Sequence, residues 1–308
     1  MNPLDLLTDY TLRSILLGSA LLGLVAGTLG TFSVLRRQSL IGDTVAHAAL
    51  PGICAAFLLT GTRDTLGLLL GGGVSGLAAS LLALAILRYS RLKEDAALGV
   101  TFSAFFGIGI AMLTAIGQSG NAAQAGLDKF LFGQAAALTQ GDVIRFALLG
   151  ALALGTAALL HKELKISLFD PDFARVQGWP VPGLTALSTA LTVLAVMIGL
   201  QTVGVVLMAA MLIAPAVAAR QWMRSLSGML GLAGAFGALS GALGAGLSLG
   251  VSSGAGSLPT GAVTVLAATA LAVLSLLVAP RRGVLAELVR QRRVRARLLR
   301  ELNSGGQA

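Results

Sequence analysis

The chain has 308 residues, of which 56% are hydrophobic and another 40 are Gly, while Asp, Glu, Lys and Arg together make up only 11%. An average soluble domain carries about 25% charged residues, so the composition excludes a soluble enzyme, a disordered chain and a collagen-like fibre. What it leaves is an all-α, polytopic transmembrane helix bundle, and the formal net charge of +9 is then read as membrane topology with no nucleic-acid partner.

Nine apolar stretches follow in chain order, at residues 14–35, 45–62, 65–87, 96–116, 143–160, 181–200, 203–219, 226–251 and 258–278. Each is about long enough to cross a ~30 Å hydrocarbon layer as a helix. The alternating pattern of an outer-membrane barrel is absent. Residues 181–219 read as two short spans broken near 199–204. A re-entrant pair there keeps the same parity, and a total of eight spans is the alternative. Of the 22 Lys and Arg residues, 18 follow odd-numbered spans or lie in the tail; only Arg13, Arg63, Lys129 and Arg145 fall on the other side. The positive-inside bias therefore predicts a cytoplasmic C-terminus and an N-terminus outside. The first span does not read as a cleaved signal peptide, because nothing basic precedes it until Arg13 and Arg36-Arg37 follows it. Cys54 is the only cysteine, so no internal disulfide forms, and it reads as a small apolar filler.

Gly recurs four residues apart as Gly23/Gly27, Gly67/Gly71, Gly72/Gly76, Gly237/Gly241 and Gly246/Gly250. In lipid, small residues at this spacing let helix backbones approach closely, which predicts tight packing and allows a homodimer. Pro51, Gly52 and Pro215 lie inside apolar stretches. They are expected to kink or break their helices where freed backbone lines a pathway; a harmless kink is the alternative.

Nearly all of the 13 carboxylates lie in loops or at span ends. Asp43 and His47 are the exception. They stand four residues apart in Gly42-Asp43-Thr44-Val45-Ala46-His47-Ala48-Ala49-Leu50-Pro51-Gly52, on one helical face at the entry of the second span. A carboxylate beside an imidazole is a mixed ligand pair suited to zinc, manganese or ferrous iron. An ionisable residue within a span costs about 2.5–3.5 kcal/mol by insertion scales and marks function by default. In the competing reading Asp43 caps the helix and His47 bonds a neighbour. Two ligands do not complete a tetrahedral site; two facing copies of the chain supply four.

His161, beside Lys162, Glu163 and Lys165, reads as a wet helix end. The loop continues through Phe169-Asp170-Pro171-Asp172-Phe173-Ala174-Arg175-Val176-Gln177-Gly178. Asp170 as N-cap and Pro171 at the first position predict a short helix, with Gly178 as its stop. Its charge and exposed aromatics make it a candidate docking element; an ordinary capped surface turn is the alternative. No Gly-Lys dipeptide exists, so there is no phosphate-binding P-loop; if ATP drives transport here, the ATPase is another chain. No nucleophile elbow or His-Glu-x-x-His is present either. The basic tail, 281–308, is expected to lie on anionic lipid, touch a cytoplasmic partner, or form a plain solvated helix.

These segments resemble the membrane permease subunit of bacterial manganese/zinc/iron ABC importers. Three stretches in the family's order carry the resemblance: Leu35-Arg36-Arg37-Gln38-Ser39-Leu40-Ile41-Gly42-Asp43 through His47 to Pro51-Gly52; Phe169 to Ala174 with Gly178; and Val203-Gly204-Val205-Val206-Leu207 through Leu212-Ile213-Ala214-Pro215. Lys93-Glu94-Asp95, Phe132-Gly133 and Pro259-Thr260-Gly261-Ala262 support it. The resemblance implies a multi-pass protein of the bacterial plasma membrane, with residues 1–280 as the permease domain and 281–308 as a cytoplasmic tail. It further implies a second permease copy, cytoplasmic ABC ATPase subunits and an extracytoplasmic metal-binding protein as partners. By the same resemblance Asp43 and His47 match pathway ligands for a transported divalent ion, no cofactor is held permanently, and residues 169–178, Arg175 included, match the element seated on the ATPase. Where the family often has Ser before the His, this chain has Ala46, which removes a hydroxyl from beside the ligands. The chain itself is then no enzyme. Two rival readings are an ion-coupled secondary transporter using Asp43 and His47 as a proton relay, and a membrane scaffold needing neither residue.

Overall fold

The computed structural model describes residues 10–38, 40–62, 64–118, 138–251 and 259–280, with isolated residues between 283 and 291. Ser39, Lys129, Phe132, Gly133 and nearly all of the basic tail lie outside the described residues. The described elements are helices α1 (Tyr10–Leu35), α2 (Ile41–Thr60), α3 (Thr65–Tyr89), α4 (Glu94–Gln118), α5 (Gln140–Leu159), α6 (His161–Phe169), α7 (Pro171–Val176), α8 (Val181–Val203), α9 (Val205–Trp222), α10 (Leu226–Val251) and α11 (Thr260–Val278). Among the described residues, eight helices are long and apolar enough to cross a membrane: α1 to α5, α8, α10 and α11. The ninth apolar helix, α9, has 18 residues, roughly 27 Å at 1.5 Å per residue.

The stretch at 181–219 thus differs from two equal short spans. Its first arm is a full span of 23 residues, and the interruption falls at Gly204 alone, whose φ of 87° is open to Gly and strained for any side chain. The chain folds back there, so that Met208 of α9 lies against Gly199 of α8. The prolines interrupt nothing: α2 runs continuously through Pro51 and α9 through Pro215. Each still lacks an N–H for the carbonyl four residues earlier, which is that of His47 in the first case.

Helices that are apolar all round cannot choose neighbours by hydrophobicity, so close contact is decided by shape. The closest contact pairs α1 with α10, antiparallel. A Cβ placed on Gly23 would run into the carbonyl oxygen of Gly237, one on Gly27 into that of Ala233, and one on Gly241 into that of Ser19. Thr28 Oγ1 adds a 3.4 Å bond to the Leu230 carbonyl. Gly52 and Gly71 meet in the same way between α2 and α3, and Ser75 Oγ donates to the Ala48 carbonyl at 2.6 Å. Gly246 behaves otherwise, with nothing within 4 Å of a built Cβ. Spacing alone therefore selected more glycines than the packing uses.

Burial separates a centre from a periphery. In α1, α2 and α8, 67% of the most apolar window is buried, against 22% in α4 and 28% in α5 and α11. The first three form the middle of the bundle and the others its outer wall. At one end of the bundle α1 turns into α2 through Arg36 and Arg37. Gln38 N bonds Ser33 O at 2.9 Å and Arg37 N bonds Val34 O at 3.2 Å, a closure that puts Arg37 at φ 63° where Gly is usual. Arg37→Gly is expected to stabilise this elbow by about 1 kcal/mol, read as a higher melting temperature of the purified protein.

Candidate metal site and docking element

The helix carrying the unusual acid and histidine starts at Ile41, four residues before the apolar stretch, so Asp43 lies inside its first turn. An acid is favourable there because the unpaired N–H groups of a helix start carry partial positive charge. Asp43 makes no capping bond to them. Its Oδ1 instead lies 3.2 Å from His47 Nδ1, and the Asp43 carbonyl oxygen lies 3.0 Å from the same nitrogen. Both oxygens are acceptors, so Nδ1 carries the proton and the Nε2 lone pair is free. The side chains are 41% exposed for Asp43 and 16% for His47, and the second carboxylate oxygen and Nε2 are the two atoms not used in the contact between them.

Two aromatic rings from α4 complete the surroundings. The imidazole centroid is 4.9 Å from Phe102 and 5.1 Å from Phe106, at interplanar angles of 72° and 81°. The two phenyl rings stack on each other at 5.6 Å and 13°. Neither Phe was singled out from the sequence; the available signal was their own i, i+4 spacing. Ala46 is fully buried, and His47 Nδ1 has its partner in Asp43. Among the described residues no group of three or more His, Cys, Asp or Glu gathers anywhere. One chain therefore offers two donors and half a coordination shell.

The structure joins stretches that the sequence keeps apart. Leu212 packs on Gly42 and Gly30, seating the stretch that ends at Pro215 directly behind the Asp43 turn. Gln38 Nε2 donates to Glu94 Oε1, linking the α1–α2 elbow to the start of α4. Arg36 is half-buried beside them, and desolvation lowers its pKa from the usual value, with Glu94 acting against that shift. Arg36 also lines a crevice with Ser33, Ser188 and Thr192, so α8 begins at the same end of the bundle as α2.

Residues 169–178 stand apart from the Asp43–His47 pair, at the surface just before α8. Asp170 Oδ1 accepts from Phe173 N at 3.0 Å with Pro171 in the first turn. The far end closes through Trp179 N to Ala174 O and Gly178 N to Arg175 O, both 3.0 Å, with Gly178 at φ 83°. This is the left-handed glycine stop. Ala174 is fully buried under α7, whereas Phe169 and Phe173 are 60% and 51% exposed. Asp172 and Arg175 form an ion pair on the outer face. Asp170→Ala is expected to weaken α7 by about 1 kcal/mol, seen as faster amide hydrogen exchange over residues 171–176 with the long helices unchanged. His161, expected at a wet helix end, is partly buried and bonds Ser227 Oγ at 3.1 Å, tying α6 to the start of α10.

Eight membrane-length helices, a ninth folded back on the sixth of them, and a capped amphipathic element exposed at one end define the membrane-spanning subunit of a transporter. The family model described as the ABC 3 transport family matches residues 8–279, and the chain belongs to that family. It is 47% identical over 289 residues to the zinc transport system membrane protein TroC of Treponema pallidum, covering 94% of this chain and 96% of that one. To the manganese transport system membrane protein MntC of Bacillus subtilis it is also 47% identical, over 93% of this chain and 65% of that protein. Among solved structures, PsaBC from Streptococcus pneumoniae in complex with Fab is similar with a TM-score of 0.78 and 32% identity, covering 90% and 95% of the two chains. The chain is thus a multi-pass permease subunit of the bacterial plasma membrane, and ATP hydrolysis belongs to another chain.

Proposed function

We propose that this permease imports a divalent transition-metal ion, manganese, zinc or iron, with Asp43 and His47 holding the ion in passage. The observation that carries the reading is the Asp43–His47 pair itself, a carboxylate and an imidazole 3.2 Å apart on one helix face, neither side chain fully buried. Relatives named for zinc and manganese transport support the same cargo. A second permease copy supplies two more donors, meeting the first along α2 and the little-buried α4. The pair must bind loosely enough to let the ion leave. In this reading the α1–α2 elbow, residues 169–178 and the tail are cytoplasmic and the N-terminus is outside, an orientation supported by the bias of basic residues. An extracytoplasmic metal-binding protein delivers the ion, and ATPase subunits press on Phe169, Phe173 and their neighbours to alternate access.

Proteoliposomes holding this permease, its ATPase and its binding protein are expected to take up Mn²⁺ or Zn²⁺ only with ATP. Gradient-driven uptake by vesicles holding the permease alone would replace this reading with the ion-coupled transporter. The docking element has its own test. Burying an aromatic side chain contributes about 1.5–3 kcal/mol, so Phe169→Ser with Phe173→Ser is expected to weaken ATPase binding about 100-fold. Uptake falls with it, while ion binding at Asp43 and His47 is retained.

A further inference from the structure

We propose that Phe102 and Phe106 are positioning residues for the transported ion, fixing the His47 ring so that Nε2 alone faces it. The inference rests on the metal-import reading above and adds two residues to it. An imidazole side chain has two torsions. The Nδ1–H bond to the Asp43 carbonyl at 3.0 Å, with the Asp43 carboxylate 3.2 Å from the same nitrogen, tethers one edge of the ring and limits both torsions, but a single tether still lets the ring swing through an arc. The two phenyl rings block that swing. They lie nearly parallel, 13° apart, and the imidazole meets both close to perpendicular, at 72° and 81°.

Position on α4 explains why the arrangement holds. Phe102 and Phe106 are one turn apart, so both side chains leave the same face. Gly109, less than a turn further on, lets α4 lie directly against Leu50 of α2, and Cys54 Sγ reaches the Gly109 carbonyl at 3.9 Å. The two helices are in register along the whole approach, from His47 at the rings to Cys54. A pair of hydrocarbon rings beside a ligand also limits the directions from which water reaches Nε2. Partners that orient a metal-binding histidine typically alter affinity by about 10–100-fold when removed. One oxygen of Asp43 is already committed to Nδ1, so only the other remains for the ion. Two chains then offer two imidazole nitrogens and two carboxylate oxygens, each with its direction set.

The test uses the complete importer in proteoliposomes, with Mn²⁺ as the transported probe. F102L/F106L keeps the apolar volume and removes the rings; F102L and F106L singly guard against a double variant that does not assemble; F102Y/F106Y restores both rings. Expected results are a KM for Mn²⁺ raised at least tenfold in the double Leu variant, intermediate values in the singles, and recovery in the Tyr variant, with kcat within about twofold throughout. Pulsed EPR of bound Mn²⁺ should show the imidazole nitrogen coupling in the unmodified protein and the Tyr variant and lose it in the Leu pair. An unchanged KM with the nitrogen coupling intact overturns the proposal, as does a fall in kcat alone, which would mean the rings only support the fold. H47Q separates the two levels. If it transports normally, His47 is no ligand, and the site assignment on which this proposal rests fails while import itself stands; if it is inactive while F102L/F106L binds normally, only the positioning role fails.

Discussion

Asp43→Ala combined with His47→Ala is expected to lower metal uptake by the reconstituted importer at least about 100-fold while the permease stays folded and bound to its ATPase. The size follows from the donor count. On the proposed reading each chain contributes one imidazole nitrogen and one carboxylate oxygen, so a pair of double-variant copies would have no donor left at the crossing. Every 1.4 kcal/mol lost is a tenfold change, and a single charge-assisted contact is worth about 1.5–3 kcal/mol. Folding should survive, because Asp43 is 41% and His47 16% exposed and, among the described residues, neither holds a second helix by a hydrogen bond; the edge contacts to Phe102 and Phe106 are worth about 1 kcal/mol. The single variants rank the two roles. His47→Ala removes a ligand outright, whereas Asp43→Asn keeps an acceptor for Nδ1–H and deletes only the charge. Uptake of Mn²⁺ and Zn²⁺ against ATP consumption is the measurement, and a double variant that still transports would make the pair structural.

The spans were legible because lipid imposes a length of about 20 apolar residues, and a stretch such as 226–251 meets it without help from any neighbour. Their starts were less so. The apolar run begins only at residue 45, yet α2 begins at Ile41, where Leu212 packs against the bare face at Gly42. The i, i+4 spacing already sets Asp43 on the helix with His47; the structure adds the turn at which that helix starts. No break falls at Pro51 or Pro215, whose helices continue through them. Gly204 carries the real interruption, at the end of the region where the sequence placed it. The i, i+4 relation of Asp43 and His47 was readable from spacing. The aromatic rings beside it were not, since nothing in Phe102 or Phe106 says which of several helices α4 will face. The capped element at 170–178 was readable almost residue by residue, because its bonds run between near neighbours.

The largest effect on the fold itself is expected from Gly237→Leu. A built Cβ at this position lies inside contact distance of the Gly23 carbonyl oxygen, and one at Gly23 meets the Gly237 carbonyl in return. The obstacle is backbone on both sides, so no rotamer change relieves it and α1 must move away from α10. The displacement cannot stay local. Gly27 on Ala233 and Gly241 on Ser19 are equally close contacts of the same antiparallel pair, and α1 is among the helices with 67% of its apolar window buried. Overpacking a well-filled interior costs about 1–3 kcal/mol even where side chains can adjust; against rigid backbone the cost should reach or exceed the top of that range. Association of helices within lipid relies on this packing rather than on the exclusion of water, so no other force compensates. Melting of the purified permease in detergent is the readout, with Gly237→Leu expected to melt far lower or to fail to yield monodisperse protein. Gly246→Leu on the same helix is the control: nothing stands within 4 Å of its Cβ position, and it should melt close to the unmodified chain. Equal melting of the two variants would mean that α1 and α10 are not held at backbone contact.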